Sequence, residues 1–553
     1  MTKIHSKECA RLLLAMLLML GHMAAAATET PPSSKKNQAS AGKENPVQDK
    51  QAIKQSSLLK IGWAIRSVSS DLPVSIPGNF DFRISKGLAD ALYVTALTID
   101  NGQDSVVWLS CDHLHLVTRH VNQIKKRIRE ISPAFPLNKL IINSTHIHTG
   151  GALLTPGRHG VPENTAFDEK GEYATLFTNA AAEAITESWQ KRLPGQVAWG
   201  YGFVAGGFSR RTVYQDDLSL RPNFQGPSRG VFLGHATMSG PNDERFSHYE
   251  AGMDPIANFL FTYSEDGKLT GAIINLSTTA QCGTPDRLRL SADFWHETRL
   301  ALKKKYGDIF ILPQCAAAGD IIPRQQHYRK AMARRLRLKF GEQSSEYTIQ
   351  FRLDMAERIM TAFDEVEAWA SKEKHSSLPM EHLIIKPRLE RATPPPQIIE
   401  LAQKYLPELE KQDADPKNAN ESLTKRSARR TKIAKYKSVI HATKSVAKEP
   451  TYETELHIVR LGEIAFASNP FELFIDYMHR IQRLSPFEQT FIVQLAMMGG
   501  RAGGYLPTQR AEDNLGYSAE PGSHSISPKG GQTLVNETVK ALKSMYQQEH
   551  PAQ

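Results

Sequence analysis

From about residue 58 onward, short apolar runs rich in β-branched residues alternate with longer stretches of helical periodicity, and this alternation constrains the fold most strongly. It is typical of mixed α/β proteins, in which helices cover the faces of a sheet. We therefore predict an α/β fold with mixed sheets flanked by helices. The predicted strands are 59–65, 92–99, 106–112, 140–144, 256–263, 271–275 and 309–313, with a hairpin turn at 461–463. The predicted helices are 117–131, 173–189, 293–306, 345–371, 471–484 and 531–546.

The N-terminal segment, residues 1–27, has the pattern of a cleaved signal peptide. Lys3, Lys7 and Arg11 precede an apolar run that ends in small residues. This run is shorter than the roughly 20 apolar residues that span a bilayer. Residues 28–56 are polar and rich in Pro and Lys, so we expect a disordered linker. The mature protein, with its main domain at 57–547, is expected to be secreted or periplasmic.

A charged insertion is predicted at about 375–450, and its basic block at 425–448 supplies much of the net charge of +10. We interpret this block mainly as a solvated segment. A basic, weakly amphipathic segment also suits peripheral contact with an anionic membrane surface. Because it lacks stacking aromatics and any groove-reading motif, we expect no nucleic-acid partner.

The cysteines say little about what stabilises the fold. Three of them lie beyond the leader, and an odd number in an exported protein allows at most one disulfide. A disulfide framework is therefore not expected to hold the fold. The three are Cys111, Cys282 and Cys315.

The strongest local motif is Ser-Thr-His-Ile-His-Thr-Gly-Gly at 144–151, directly after an apolar strand. In extended backbone, residues two apart point to the same side, so His146 and His148 would project together. A paired imidazole face suits a transition metal. The alternative is that they are two loop histidines without a metal, and the flanking small residues leave the two interpretations about equal.

Three further clusters contain polar residues that suit a site, although each has a structural explanation when taken alone. Asp320 lies in a Gly-Asp turn after an apolar strand, where it could orient a metal ligand. Glu472 is predicted in the first turn of a helix that Asn469 or Pro470 opens, where the helix dipole favours a carboxylate. Tyr505 and Tyr517 lie in a Gly-rich loop region, where tyrosines more often pack than bind metals.

Taken in order over most of residues 58–546, these clusters resemble those of the neutral/alkaline, non-lysosomal ceramidases. The matching motifs are Thr-His-Ile-His-Thr-Gly at 145–150 and Asn-Pro-Phe-Glu-Leu-Phe at 469–474. The resemblance implies a ceramidase-like catalytic domain, here without a C-terminal immunoglobulin-like domain. It implies zinc ligands at His146 and Glu472, with Tyr517 as a third. It also implies catalytic or substrate-contacting roles, which fall on His148, on Arg210 or Arg211, and on Asp320.

The chain lacks two residues that have chemical roles in the family pattern. The family's Gly-Asp-x-Ser-Pro motif carries a hydroxyl, whereas this chain has Ile322 in place of the serine. A family histidine that binds zinc has no counterpart in the segment 275–282. Substitute ligands that we consider are Gln281, Thr279, Cys282, His248 and Glu250.

The resemblance implies a zinc-dependent hydrolase that cleaves an N-acyl bond in a ceramide-like lipid amide. Zinc would polarise the carbonyl and activate water, so that no serine nucleophile is needed. Two alternatives stay open. One is a metal hydrolase of the same scaffold that acts on a non-lipid substrate. The other is a non-catalytic binding protein that has kept the fold and lost the site.

Overall fold

The computed structural model describes residues 58–79, 82–153, 168, 171–222, 231–284, 286–341, 349–418, 421–496 and 503–548. The predicted signal peptide and linker lie outside these residues. All of the described residues belong to one compact unit. The strands are β1 (Lys60–Ser67), β2 (Tyr93–Asp100), β3 (Ser105–Cys111), β4 (Leu140–Ser144), β5 (Leu193–Phe203), β6 (Phe208–Ser209), β7 (Arg211–Tyr214), β8 (Ala236–Met238), β9 (Phe246–Tyr249), β10 (Ile256–Ser264), β11 (Leu269–Leu276), β12 (Phe310–Cys315), β13 (Ile321–Ile322), β14 (Met380–Ile385), β15 (Arg388–Glu390), β16 (Thr451–Glu453), β17 (Leu456–Leu461), β18 (Ile464–Ser468), β19 (Glu472–Leu473), β20 (Gln489–Val493) and β21 (Tyr505–Leu506). The helices are α1 (Thr118–Ile131), α2 (Glu172–Gln190), α3 (Phe294–Tyr306), α4 (Arg329–Phe340), α5 (Ile349–Ala370), α6 (Pro396–Ala414), α7 (Leu423–Lys448), α8 (Ile475–Leu484), α9 (Gln509–Asn514) and α10 (Pro528–Gln547).

Within the described residues, eight strands form a large mixed sheet in the order β12-β11-β10-β5-β1-β2-β3-β4. The β3–β4 and β11–β12 pairs are parallel, and the other pairs in this sheet are antiparallel. Every residue of β3 and β4 is buried, which explains why these strands read as continuous apolar runs. One face of the sheet packs against α1, α2, α3 and α5. α1 contributes Val121, Ile124 and Ile128, whose helical spacing places them on one buried stripe.

A smaller sheet, in the order β14-β17-β18-β20, packs against the opposite face of the large sheet. Apolar side chains from the two sheets interdigitate there, and the rings of Trp108 and Phe466 lie 4.9 Å apart between centroids. The outer face of the small sheet is covered by α8 and α10. The architecture is therefore a four-layer α/β/β/α sandwich, which confirms the predicted α/β class with mixed sheets flanked by helices.

The predicted elements that rest on strong periodicity are confirmed to within a few residues, including the turn at Gly462, whose φ is 59°. Two differences have a physical reason. The long strand β5 was missed because its three glycines and two exposed ends weaken the apolar pattern. The helix predicted from residue 471 begins only at Ile475, because Glu472 and Leu473 pair with Tyr505 and Leu506 as a short parallel ladder.

The predicted charged insertion contains strand as well as helix. β14 lies at the start of the interval and pairs with β17 in the small sheet. The peripheral part is a helical hairpin of α6 and α7, which pack against each other. Ser422 caps α7 by accepting a hydrogen bond from the backbone NH of Lys425. Among the helices that the structure describes, none is both long and apolar enough to cross a membrane.

The large sheet curls until its two ends touch, and this curl determines which loops meet. The hydroxyl of Ser110, in β3, donates to the carbonyl of Pro313 in β12 at 2.5 Å. Asn143 Nδ2, in β4, donates to the same carbonyl at 3.2 Å. The segments that follow β4 and β12, which contain His146 and Asp320, are thereby brought to one end of the sandwich.

A buried histidine in β14 of the small sheet, His382, is expected to make the stability of the fold depend on pH. His382 Nδ1 donates to the carbonyl of Ser105 at 3.2 Å, and its Nε2 lies 2.8 Å from Nδ1 of His457. Burial first, and then the neighbouring His457 and Lys139, lower the pKa of His382 to about 3. The unfolded chain binds a proton here below about pH 6.5, whereas the folded chain does not until about pH 3. The stabilisation is therefore complete above pH 6.5 and is lost as the pH falls.

Between pH 7 and pH 5 the wild type should lose about 2 kcal/mol of unfolding free energy through His382, because each pH unit below 6.5 costs about 1.4 kcal/mol. We expect this part of the loss to be absent in His382→Asn. Urea unfolding at the two pH values measures this difference. His248→Asn is the matched control, because His248 is exposed. An unchanged pH dependence in His382→Asn would show that this histidine is not the titrating group.

Candidate metal centre

His146 lies just beyond the end of β4, where the chain leaves the strand direction. Its φ is 57°, in the left-handed region, so the backbone here is not extended as predicted. The two imidazoles of His146 and His148 nevertheless lie together, as predicted, with ring centroids 5.1 Å apart. The buried ring of His146 donates from Nδ1 to the carbonyl of Leu114 at 3.0 Å. Because a carbonyl only accepts hydrogen bonds, this contact places a proton on Nδ1, so that Nε2 carries the lone pair when the imidazole is neutral.

Glu472 reaches the same point from the other side of the sandwich. It lies in β19, and its backbone NH donates to the carbonyl of Gly504 at 2.9 Å. The predicted role of a helix dipole at this carboxylate is therefore wrong, because α8 begins three residues later. Burial raises the pKa of Glu472, but the positive charges of a protonated His146 and of Arg210 outweigh that effect and hold the pKa of this carboxyl below its usual value.

The two side chains face each other through their acceptor atoms. His146 Nε2 lies 3.4 Å from Oε2 of Glu472. Among the residues that the structure describes, no donor hydrogen-bonds to this buried Oε2. Two lone pairs at this distance repel unless a proton or a cation lies between them. In a tetrahedral zinc site with bonds of about 2.1 Å, neighbouring ligand atoms lie about 3.4 Å apart, so the pair fits two adjacent positions.

A third ligand would have to come from a different kind of side chain. No group of three or more His, Cys, Asp and Glu residues suited to a metal ion occurs within the described ranges. The phenols of Tyr505 and Tyr517 lie close by and are hydrogen-bonded to each other, with their oxygens 2.9 Å apart. A phenol oxygen can also bind a metal ion and is not among the atoms of that set, and Tyr517 stays a predicted ligand.

Two more histidines border the pair. His148 Nε2 lies 3.4 Å from Nε2 of His146. Burial first, and then His146, Arg210 and Arg83, lower the pKa of His148 well below its usual value. His115 also interacts electrostatically with Glu472 and His146, and burial lowers its pKa.

His115 was missed at the sequence level, although a signal was present. His113-Leu114-His115 follows β3 just as the motif at 146–148 follows β4. β3 and β4 are parallel neighbours, with Cys111 opposite Ser144. Equivalent positions after adjacent parallel strands lie side by side, so the second His-x-His was predictable as part of the same site.

Arg210 is the arginine that faces this centre. Its guanidinium carbon lies 5.0 Å from the ring centre of Tyr517 and 5.3 Å from that of Tyr505. It also interacts electrostatically with Glu472. The side chain is buried, and Nη2 donates to the carbonyl of Gly319 at 2.6 Å. The site therefore has a permanent positive charge that is held in place from the Gly-Asp turn.

Arg211 points away from the centre and holds the loop that carries Tyr517. It forms a fully buried ion pair with Glu250. Its guanidinium also donates to the carbonyls of Ala511 and Leu515, at 3.1 and 2.9 Å, and to that of Tyr517. These are the contacts of a positioning residue.

Asp320 likewise supports the site through the backbone. Its Oδ1 accepts a hydrogen bond from the backbone NH of Ile475, at the start of α8, at 3.0 Å. Its carbonyl accepts from the backbone NH of Arg210 at 3.0 Å. Burial is the main cause that raises the pKa of Asp320 to about 7. Asp320 thus connects the Gly-Asp turn to both α8 and the segment of Arg210.

At the first departure from the family motif, the residue lies in apolar surroundings. At the second, the substitute ligands that we considered are bonded to other residues or exposed. Ile322 is buried and pairs with Phe208, next to the Arg210 segment. No hydrogen bond or ion pair within the described chain connects the considered substitute ligands to His146 or Glu472. Thr279 donates to Gln281, the backbone NH of Cys282 donates to Asp293, Glu250 pairs with Arg211, and His248 is exposed. All three cysteines beyond the leader are buried and free, so no disulfide joins the described residues.

The whole structure is similar to solved structures of ceramidases. The crystal structure of neutral ceramidase from Pseudomonas aeruginosa superposes with a TM-score of 0.58 over 89% of this chain and 75% of that chain, at 14% identity. The chain has the neutral ceramidase fold. A ceramidase solved in complex with C2 matches with a TM-score of 0.57, 89% and 76% coverage and 14% identity. No protein-family model and no curated protein sequence matches the chain.

Proposed function

We propose that the chain is a metal-dependent amidohydrolase, with zinc as the expected ion, that cleaves an N-acyl bond. The observation that best supports this is the position of His146 Nε2, which faces Oε2 of Glu472 at 3.4 Å in a ceramidase fold. Tyr517 is the proposed third ligand. A divalent cation held there would polarise an acyl carbonyl and make water a competent nucleophile at neutral pH.

The remaining residues of the centre have roles that follow from their positions. His148 is close enough to His146 to act on a water or a leaving amine next to the ion, so it is the proposed proton acceptor and donor. Arg210 would stabilise negative charge that develops on the acyl oxygen. Because Ile322 carries no hydroxyl, the proposed nucleophile is water rather than a serine side chain.

The proposed substrate is a lipid amide, since the structural neighbours are ceramidases. We expect the palmitoyl amide of a given amine to be hydrolysed with at least about tenfold higher kcat/KM than the acetyl amide, because each buried methylene contributes about 0.8 kcal/mol. Release of the amine from the two substrates measures the preference for the long acyl chain. The same assay with a chelator, and again with zinc restored, measures the dependence on the metal. Equal rates for the two amides would favour a non-lipid substrate.

His148→Gln separates catalysis from metal binding in the same assay. We expect it to keep its zinc and to lose about 100-fold or more in kcat, as removal of a general acid–base group does. A zinc-loaded wild type that hydrolyses neither amide would instead favour a non-catalytic binding protein.

A further inference from the structure

The short helix α4 concentrates positive charge, and its contacts show which side faces the protein. Its 12 residues include six lysines and arginines and no acidic residue. Met332 and Leu336 are buried. Arg335 and Lys339 bond to the buried carboxylate of Asp354, at 2.8 and 3.0 Å. These contacts turn that side of α4 toward the core and toward α5.

The opposite side of α4 points to solvent. Four exposed residues at the spacing of one helical face lie there, namely Lys330, Arg334, Arg337 and Leu338. Within the described chain, no carboxylate pairs with Lys330 or Arg334. Leu338 is 62% exposed, although a leucine gains free energy when it leaves water. This outer face of α4, formed by the four residues, is therefore cationic and partly apolar.

Tyr328 stands at the start of α4 in a position that disfavours a tyrosine. It is the N-cap residue, where Ser, Thr, Asp and Asn are preferred, and its side chain makes no capping hydrogen bond. Its φ is 55°, which strains a bulky residue. The residue is 71% exposed, and its ring packs on that of His327, with centroids 4.8 Å apart. The ring thus adds little to the fold, which points to a partner outside it.

Aromatic contacts place Tyr328 near the strand that follows Arg210. The ring of His327 lies 5.8 Å from that of Tyr249, between centroids. Tyr249 is opposite Thr212 in β7, two residues beyond Arg210. Between Asp320 and α4, strand β13 pairs with β6, which ends directly before Arg210. The outer face of α4 therefore begins beside segments that hold the metal centre.

We propose that the outer face of α4, together with Tyr328, binds the surface of an anionic phospholipid bilayer. This role rests on the proposed function, because a lipid amide reaches an enzyme from a bilayer. The cations would attract lipid phosphates, while the tyrosine ring suits the headgroup region and Leu338 the hydrocarbon boundary. A nucleic acid offers the same phosphate charge but no apolar region for Leu338.

The longer basic helix α7 fits such a surface less well. Four of its cations are paired with carboxylates, namely Arg429, Arg430, Lys435 and Lys437. No large apolar side chain in the described part of α7 is exposed. Its remaining cations provide a matched control, because Lys432 and Lys444 are exposed as Lys330 and Arg334 are.

Co-sedimentation of the full-length protein with vesicles tests the contact. We expect binding to phosphatidylcholine vesicles that contain about 30% phosphatidylglycerol, and at least about tenfold weaker binding to phosphatidylcholine alone or in about 0.5 M salt. Lys330→Gln with Arg334→Gln should weaken binding at least about tenfold, whereas Lys432→Gln with Lys444→Gln should leave it within about twofold. No binding to the anionic vesicles, or an equal or larger loss in the α7 variant, would overturn the proposal.

Tyr328→Asn separates a role at the surface from a role in the fold. Asparagine tolerates the left-handed backbone and is a favoured N-cap, so the variant should unfold at a higher urea concentration than the wild type. It should nevertheless bind the anionic vesicles at least about threefold more weakly. A lower urea midpoint would show that the ring serves the fold, and unchanged vesicle binding would show that it does not meet lipid. Either result would reject the role of Tyr328.

Hydrolysis of the acetyl amide distinguishes a failure of this contact from a failure of the proposed function. The soluble amide requires no bilayer, so Lys330→Gln with Arg334→Gln should keep the wild-type kcat/KM. A protein that cleaves the amide but does not bind anionic vesicles would refute the lipid contact alone. A protein that binds the vesicles through α4 and cleaves neither amide would refute the proposed function and leave the lipid contact standing.

Discussion

Purified His146→Ala is expected to contain less than about a tenth of a zinc equivalent, whereas the wild type retains close to one after the same dialysis against trace zinc. The hydrogen bond from His146 Nδ1 to the carbonyl of Leu114 orients the imidazole for metal binding, because Nε2 is then the nitrogen available to the ion. Removing one of only a few protein ligands should weaken zinc binding by several orders of magnitude. Amide hydrolysis should fall to background in the same preparation. Elemental analysis and the amine-release assay measure the two effects separately.

Two further variants make this result specific. Glu472→Gln keeps the shape of the second proposed ligand but removes its charge, so it should lose zinc as His146→Ala does. His248→Ala removes an exposed histidine and is the matched control, with zinc content and activity expected to equal those of the wild type. Stoichiometric zinc in His146→Ala would reject the ligand assignment while leaving the assignment of the fold intact.

Arg211→Met should produce the largest loss of stability among single changes near the centre, about 3–5 kcal/mol. Arg211 is completely buried, as is its partner Glu250. Methionine fills most of the volume but leaves the Glu250 charge unpaired and the carbonyls of Ala511 and Leu515 without a donor. Urea unfolding followed by circular dichroism measures the change.

Arg245→Met provides the comparison for an exposed ion pair. Arg245 is half-exposed and pairs with Asp216 at 3.0 Å, so its loss should cost less than about 1 kcal/mol. The double variant Arg211→Met, Glu250→Leu should recover part of the lost stability, because no unpaired buried charge remains. A loss below about 1 kcal/mol in Arg211→Met would show that this ion pair does not hold the Tyr517 loop.

The roles of the two adjacent arginines illustrate a limit of sequence reasoning at this site. Arg210 and Arg211 are chemically identical, and the motif does not say which of them faces the centre. In β-structure neighbouring side chains point to opposite sides, so one faces Tyr517 and the other enters the core. The strand register, which depends on the pairing of β7 with β8 and β9, makes that choice.

Local sequence determined the elements and the candidate side chains of this protein. Apolar periodicity is a property of neighbouring residues, so it predicted the strands before His146 and Asp320 and the helices that cover the sheets. The composition of the motifs likewise indicated metal chemistry.

The tertiary structure alone decided which candidates meet. His146 and Glu472 are separated by more than 300 residues, and they come together because the large sheet curls and β19 pairs with β21. Both events depend on packing between distant segments, which leaves no periodic signal in the local sequence. For the same reason the strand conformation of Glu472 became visible only in the folded chain.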